Sequence, residues 1–345
     1  MAGRRPLSVV IPTRNTRGLT LACLDSLRRA SAAGGDLVGL ETVLVDDGGN
    51  DGTAEAVAAG YAEVRLLRLA EPAGFTRAAN RGLTQAGGEV LLLLNSDTEV
   101  SGASLRAMLA HFAAEPRLGA AGAALRYPDG TPQWSGGRKP TLAWLLALAS
   151  GFPGALGRIP GYRRWRPASA ARGTARVDWV SGAAMAIRRA AWREVGPFDE
   201  RFLFYAQDLD LCLRLRQAGW QVAVLADFAV LHHHGATIGG AAGSAGPGGQ
   251  GRGQHPELLW TDLLRWARKW RGERWARRAA RALAGGARLR LLARALAAPW
   301  VPPSRRVRFR AESATFTRAL AAVKAVKAVE AVEARLAGAR EDGES

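Results

Sequence analysis

From its start the chain alternates short, nearly unbroken apolar runs with longer segments in which apolar residues recur every three or four positions. Leu7 to Pro12 (LSVVIP), Glu41 to Asp46 (ETVLVD), Glu63 to Leu69, Glu89 to Leu94 and Leu118 to Leu125 predict strands, and their lack of polar alternation predicts a sheet covered on both faces. Leu19 to Ala30, Gly52 to Ala59, Phe75 to Ala86 and Ser101 to Ala114 predict helices between them, with Ser101 as an N-cap. Alternation of this kind predicts an α/β fold with a doubly wound, mainly parallel sheet flanked by helices. Its ligand site lies beyond the carboxyl ends of the strands. The segments leaving those ends are Pro12-Thr13-Arg14-Asn15, Asp46-Asp47-Gly48-Gly49-Asn50 and Asn95-Ser96-Asp97. None carries a dinucleotide or P-loop glycine fingerprint, so a Rossmann dehydrogenase and a P-loop enzyme are disfavoured.

Beyond residue 125 the pattern changes. Residues 126–175 are rich in Pro, Gly, Trp and Arg and read as a variable insertion of loops and short helices. Val177 to Arg188 predicts a strand or paired strands, Arg189 to Val195 a short helix, Gln207 to Ala218 a longer one, and Gln221 to Leu225 a strand ahead of Leu231-His232-His233-His234. Gly239 to Gly253 has the composition of a flexible linker or lid. Leu258 to Leu296 is helical in pattern, with Trp260, Trp266, Trp270 and Trp275 set among Arg and Lys. Ala322 to Leu336, built on AVK and AVE triplets, predicts a solvent-exposed or partner-contacting helix. The expected division is a sheet domain over 1–240, a linker over 241–256 and a basic helical region over 257–345.

Composition sharpens this picture at three points. The 345 residues are 48% hydrophobic, enough to bury a sizeable core, which excludes general disorder. The only cysteines, Cys23 and Cys212, sit in helical patterns and read as buried thiols, which excludes a disulfide scaffold. The formal net charge of +18 is concentrated late: between Asp262 and Arg310 there are 15 Arg or Lys against 2 acids. The apolar stretch Thr141 to Phe152 is too short to span a bilayer. The expected location is cytoplasmic, with any membrane contact peripheral at the inner face.

The candidate chemistry begins at Asp97. A carboxylate at a strand end suits a divalent cation bridging a diphosphate, although a turn or N-cap aspartate would look the same. The ordered set VVIPTRN, VLVDDGGNDGT, GFTRAANRGL, LLLNSDTEV, WVSGAAMAIRR, VGPFDERFLFYAQDLDLCLRLRQAGW and VLHHHGAT resembles glycosyltransferase family 2, in particular its rhamnosyltransferase-like members with the GT-A fold, over about residues 7–240.

The resemblance implies that Pro12 and Thr13 contact the nucleotide base, that Asp46 and Asp47 read the uracil or thymine edge and the ribose, and that Arg77 and Asn80 face the diphosphate. Asn95-Ser96-Asp97 matches the DxD motif, with Asn95 in the first acidic place. Asp97 is therefore the expected Mg or Mn ligand, joined by His232, with His234 as the alternative register. Asp208 is implied as the base that deprotonates the acceptor. Gln207 stands where the family usually has Glu, which removes a charge beside Asp208 and lowers its pKa relative to the usual pair. Asp199, Glu200 and Gln207 border the acceptor, and Trp179, Ser181 and Gly182 lie beneath the donor sugar. Each has a plainer reading: a turn at Asp46-Asp47-Gly48, a core position for Trp179, helix capping for Asp208, a surface strand end for the histidines.

The expected activity is inverting, metal-dependent transfer of a sugar, with rhamnose suggested, from a dTDP- or UDP-sugar to a glycan or lipid-linked acceptor of the cell envelope. Two competing classes remain. One is a catalytically impaired partner subunit, in view of Asn95 and Gln207. The other is a nucleic-acid binder acting through the basic region, which is less favoured than peripheral contact with an anionic membrane.

Overall fold

A computed structural model describes residues 5–32, 34–37, 40–151, 173–233 and 255–341. The expected linker and His234 lie outside the described residues, as does much of the 126–175 insertion. The described residues fall into two compact units, 5–139 with 173–233, and 140–151 with 255–341.

The first unit is built on one mixed sheet. Its strands are β1 (Leu7–Thr13), β2 (Glu41–Asp46), β3 (Val64–Arg68), β4 (Val90–Leu94), β5 (Thr98–Glu99), β6 (Leu118–Arg126), β8 (Ala175–Arg176), β10 (Ala184–Arg188) and β11 (Gln221–His232). They run in the order β3-β2-β1-β4-β10-β6-β11-β5, with β8 on β11; β7 (Gly136–Gly137) and β9 (Trp179–Val180) form a separate pair. Four neighbours, β3, β2, β1 and β4, are parallel, as are β6 and β11. β10 is antiparallel to both β4 and β6.

The helices of this unit are α1 (Arg17–Ala32), α2 (Thr53–Gly60), α3 (Phe75–Gln85), α4 (Gly102–Ala114), α6 (Arg189–Val195) and α7 (Gln207–Gln217). Along β1, Val9 and Ile11 point into one core with Leu24 of α1 and Leu105 of α4, whereas Val10 points into the other with Ala79 of α3 and Leu215 of α7. Two buried faces explain why the strands carry no polar alternation. Ser101 caps α4 as expected, its Oγ accepting from Ser104 N at 3.2 Å. The expected sheet, covered by helices on both faces, is thus the observed one. β11 is longer than the pattern indicated, running from Gln221 through the first histidine rather than stopping at Leu225. A register shift between Leu225 and Ala229 interrupts its pairing with β6, and Asp227 there breaks the apolar run.

The second unit is helical: α5 (Leu142–Ser150), α8 (Pro256–Arg271), α9 (Glu273–Ala297) and α10 (Pro303–Glu341). The stretch expected as one helical pattern is broken at Gly272, whose φ of +77° suits glycine alone. In α9, a Cβ on Gly286 would come within 2.5 Å of Leu146 O in α5, so the helix crosses α5 there in very close contact. Trp260 and Trp266 are buried, not displayed on a face for stacking or for an interface. The exposed aromatic is instead Trp300, 80% exposed in the turn between α9 and α10. Among the described residues, no helix is long and apolar enough to cross a membrane.

Candidate active site

The site forms where β1, β2, β4 and β11 end. Thr13 closes β1, and its hydroxyl joins those of Thr16, Thr20 and Ser96 in a buried network, with Thr13–Thr20 at 2.7 Å and Thr16–Ser96 at 3.0 Å. That network ties the exit of β1 to the turn carrying Asp97. Asp46 ends β2, is buried, and accepts from Gly49 N at 3.1 Å; burial pushes its carboxyl upward in pKa. Asp47 beside it accepts from Ala73 N at 2.6 Å and Gly74 N at 3.0 Å. It therefore anchors the loop that enters α3, a charge-assisted contact at the positive end of that helix.

α3 in turn fixes the segment after α6. Asn80 donates to Phe198 O at 2.9 Å and accepts from Phe198 N at 3.0 Å, and Arg77 pairs with Glu200 at 3.1 Å. Asp199 pairs with Arg201. Arg77, Asn80, Asp199 and Glu200 thus belong to one contact region between α3 and the 198–201 loop. Trp179 donates its ring N–H to Arg138 O and packs edge-on against Trp134 with centroids 5.0 Å apart, so it is a part-buried platform and not a core residue.

Asp97 and His232 meet. β5 runs antiparallel to the end of β11 with Thr98 opposite His232, which brings the preceding Asp97 alongside. His232 Nε2 lies 3.3 Å from Asp97 Oδ1, and the residues are only 5% and 2% exposed. The other ring nitrogen, Nδ1, is 2.8 Å from Gln133 Oε1, while Gln133 Nε2 donates to His232 O at 2.6 Å. Among the described residues no three His, Cys, Asp or Glu side chains gather in one cluster. One carboxylate and one imidazole side by side still suit Mg²⁺ or Mn²⁺, because diphosphate oxygens and water complete such a shell. The residues present fit the ion that the fold implies.

Asp208 belongs to the same rim. Its Oδ2 accepts from Gly182 N at 2.9 Å and its Oδ1 from Leu209 N at 2.7 Å. The next residue, Ala183, accepts from Asn95 N at 2.9 Å, and Ala184 pairs with Leu94. The base candidate and the DxD-like turn are therefore joined through Gly182 and Ala183, which lead into β10. A Cβ on Gly182 would sit 3.7 Å from Asp208, in ordinary contact. Burial raises the Asp208 carboxyl to about 6, outweighing the backbone amides of Gly182, Leu209 and Asp208 that lower it. Gln207 adds no charge, so desolvation sets this value. The amide oxygens of Gln207 and Asn95 are buried without a hydrogen-bond partner.

Two contributors escaped the sequence reading. Ala206, just before α7, has φ +63°, a costly conformation for a residue with a Cβ, and it sets the angle at which Asp208 enters the site. Gln133 was the other. The signal for it was the Tyr127-Pro128-Asp129-Gly130 turn immediately after β6, which returns the chain to the rim it has just left.

With this geometry in place, comparison with known proteins gives consistent results. Residues 8–194 match the family described as Glycosyl transferase family 2. An N-acetylglucosaminyl-diphospho-decaprenol L-rhamnosyltransferase of Mycobacterium tuberculosis is 33% identical over 209 residues, 56% of this chain and 66% of that protein. An O-antigen biosynthesis protein of Myxococcus xanthus, RfbC, is 29% identical over 238 residues, 68% of this chain and 18% of that protein. The chain thus spans just under two thirds of the first relative and about a fifth of the second. A mannosyltransferase from Pyrobaculum calidifontis, solved with GDP-Man and Mn²⁺, shares the fold with a TM-score of 0.53 at 17% identity, covering 94% of this chain and 87% of that one.

Proposed function

The chain belongs to glycosyl transferase family 2, and from that premise we propose that it is an inverting, metal-dependent transferase. It moves a sugar, with rhamnose the leading candidate, from a dTDP- or UDP-linked donor to a hydroxyl of a lipid-linked or cell-envelope glycan. One observation carries the reading: Asp97 faces His232 at 3.3 Å, while Asp208 is tied through Gly182 and Ala183 to Asn95 of the same turn. The mycobacterial relative's name supplies the sugar and acceptor class. The archaeal neighbour's GDP-Man and Mn²⁺ are consistent with a nucleotide-sugar and a cation at such a rim.

The mechanism follows from the side chains. The Asp208 carboxylate takes the proton of the acceptor hydroxyl as that oxygen bonds to the anomeric carbon from the face opposite the leaving group. The bond from that carbon to the phosphate oxygen breaks, and the nucleoside diphosphate departs with the electron pair. A cation held by Asp97 and His232 would supply neutralisation of the leaving diphosphate. Thr13 and Asp46 line the nucleotide end, and Trp179 and Gly182 the sugar end. Asp97 and Asp208 are both retained, which favours an active enzyme over an impaired partner subunit despite Asn95 and Gln207.

Peripheral attachment to an anionic membrane is part of the proposal. Its support is a stretch with no acidic residue from Arg274 to Ala311, carrying exposed Leu292, Leu296, Trp300 and Val307. The function is tested by thermal shift with dTDP, UDP, GDP and their sugars, with and without Mn²⁺, followed by transfer assays with the donors that bind. Metal-dependent stabilisation by a dTDP- or UDP-sugar, lost in Asp97→Ala, is expected; no stabilisation by any nucleotide would reject the proposal.

A further inference from the structure

Gln133 lies outside every motif named above, yet it is 5% exposed and placed by backbone geometry. β6 and β11 run parallel, with Leu125 opposite Val230 and Arg126 opposite Leu231. After Arg126 the chain turns through Asp129, whose carboxylate accepts from Thr131 N at 2.9 Å, and comes back along β6, where Gln133 N donates to Leu125 O at 2.8 Å. The returning segment therefore reaches the end of β11 on the side opposite β5. His232 is held between the two: Gln133 on one side, Asp97 on the other.

The chemistry of the clamp admits one orientation of the Gln133 amide. A backbone carbonyl can only accept, so the Gln133 atom 2.6 Å from His232 O is the amide nitrogen. The remaining amide atom, facing His232 Nδ1 at 2.8 Å, is then the oxygen, which also only accepts. Nδ1 must carry a hydrogen. The amide cannot rotate by half a turn without setting two acceptors against each other at one end and two donors at the other. The nitrogen facing Asp97 is therefore Nε2, which offers its in-plane lone pair to a cation when it carries no proton.

We propose that Gln133 is a positioning residue that locks the His232 imidazole in the Nδ1–H tautomer and directs Nε2 to a divalent cation shared with Asp97. This inference rests on the metal-binding part of the proposed function. A hydrogen bond of this type to a ligating imidazole typically changes metal affinity by about 10- to 100-fold.

The test uses the full chain and Mn²⁺ alone, with binding followed by loss of the free-ion EPR signal, and nitrogen-15 NMR of the histidine rings to read the tautomer. Wild type should show protonated Nδ1 and bind Mn²⁺. Gln133→Met, of similar volume but with neither hydrogen bond, should mix the tautomers and weaken Mn²⁺ binding about 10- to 100-fold. Gln133→Glu keeps an oxygen toward Nδ1 but sets an acceptor against His232 O, so it should keep the tautomer and recover part of the affinity, which a packing role would not do. Melting curves check that each variant is folded; if Gln133→Met is not, the wild-type tautomer and Gln133→Glu still decide. Equal Mn²⁺ affinity in Gln133→Met, or an Nε2–H ring in wild type, would overturn the inference. Mn²⁺ binding unchanged in both Asp97→Ala and His232→Ala would instead overturn the metal reading beneath it, with the tautomer measurement still judging the clamp.

Discussion

The most consequential single group is the Asp208 carboxyl. Acid–base assistance is worth about 10²- to 10⁴-fold, so Asp208→Asn should lose that much turnover in a transfer assay while its affinity for the donor stays unchanged. The base works only when ionised, and burial places its pKa at about 6, so kcat/KM should fall tenfold per pH unit below about 6. Stability moves the other way. The folded chain holds this proton more tightly than the unfolded chain, so between pH 3.8 and about 6 stability from this group declines as pH rises. Asp208→Asn should then melt higher than wild type at pH 8, with the gap closing toward pH 4. At this scale the sequence marked Asp97, Asp208 and His232 as candidates because each ends or follows a strand or opens a helix within a recognisable motif. Ala206 was illegible because it acts through a torsion angle, which leaves no residue-type signature, whereas Gln133 was marked only indirectly, by the Tyr127-Pro128-Asp129-Gly130 turn that brings the chain back.

Among the elements, α3 shows how a motif residue can serve the scaffold. Asp47 lies in the segment expected to read the nucleotide, but its carboxylate receives two amides at the entry to α3. Asp47→Ala should lower unfolding free energy by roughly 1–3 kcal/mol in a denaturant titration, the penalty for part-buried amides left without their acceptor, and Asp47→Asn should recover most of it. If the alanine variant keeps full stability and only donor affinity falls, the carboxylate acts on ligand alone. β1, β2, β4 and β6 were legible because doubly covered strands are continuously apolar, whereas β3 is part exposed and carries Arg65 and Arg68. The two-residue β5 was not, since so short an element has no period, yet it carries Thr98 to its place opposite His232. The Leu209, Leu211, Leu213 and Leu215 spacing looked partly strand-like because α7 is buried nearly all round, so no polar face marks its turns.

At the level of the molecule, charge and exposed apolar surface coincide in the helical unit. Leu296, Trp300 and Val307 lie close in sequence to Arg305 and Arg306 around the α9–α10 turn. The full chain should co-sediment with phosphatidylserine-containing vesicles at low salt and be released as ionic strength rises. Trp300→Ala with Arg305→Ala and Arg306→Ala should weaken partitioning at least tenfold, since each arginine near such a surface contributes about 1 kcal/mol. Retention of duplex DNA in a gel, with no vesicle binding, would transfer the surface to nucleic acid. The sequence disclosed the positive charge of this unit but not its apolar tip, because the tryptophans that stood out in the pattern, Trp260 and Trp266, are used for packing.

The close crossing at Gly286 also bears on how this chain can be dissected. α5 is encoded between segments of the sheet-bearing half, but Leu145, Ala147 and Ala149 are buried within the C-terminal helices' half. Cutting after residue 240 would leave that helix without the neighbour it was shaped against. A shortened gene product of that design would carry a sticky apolar stub and should precipitate, whereas co-expression with the missing fragment should rescue it.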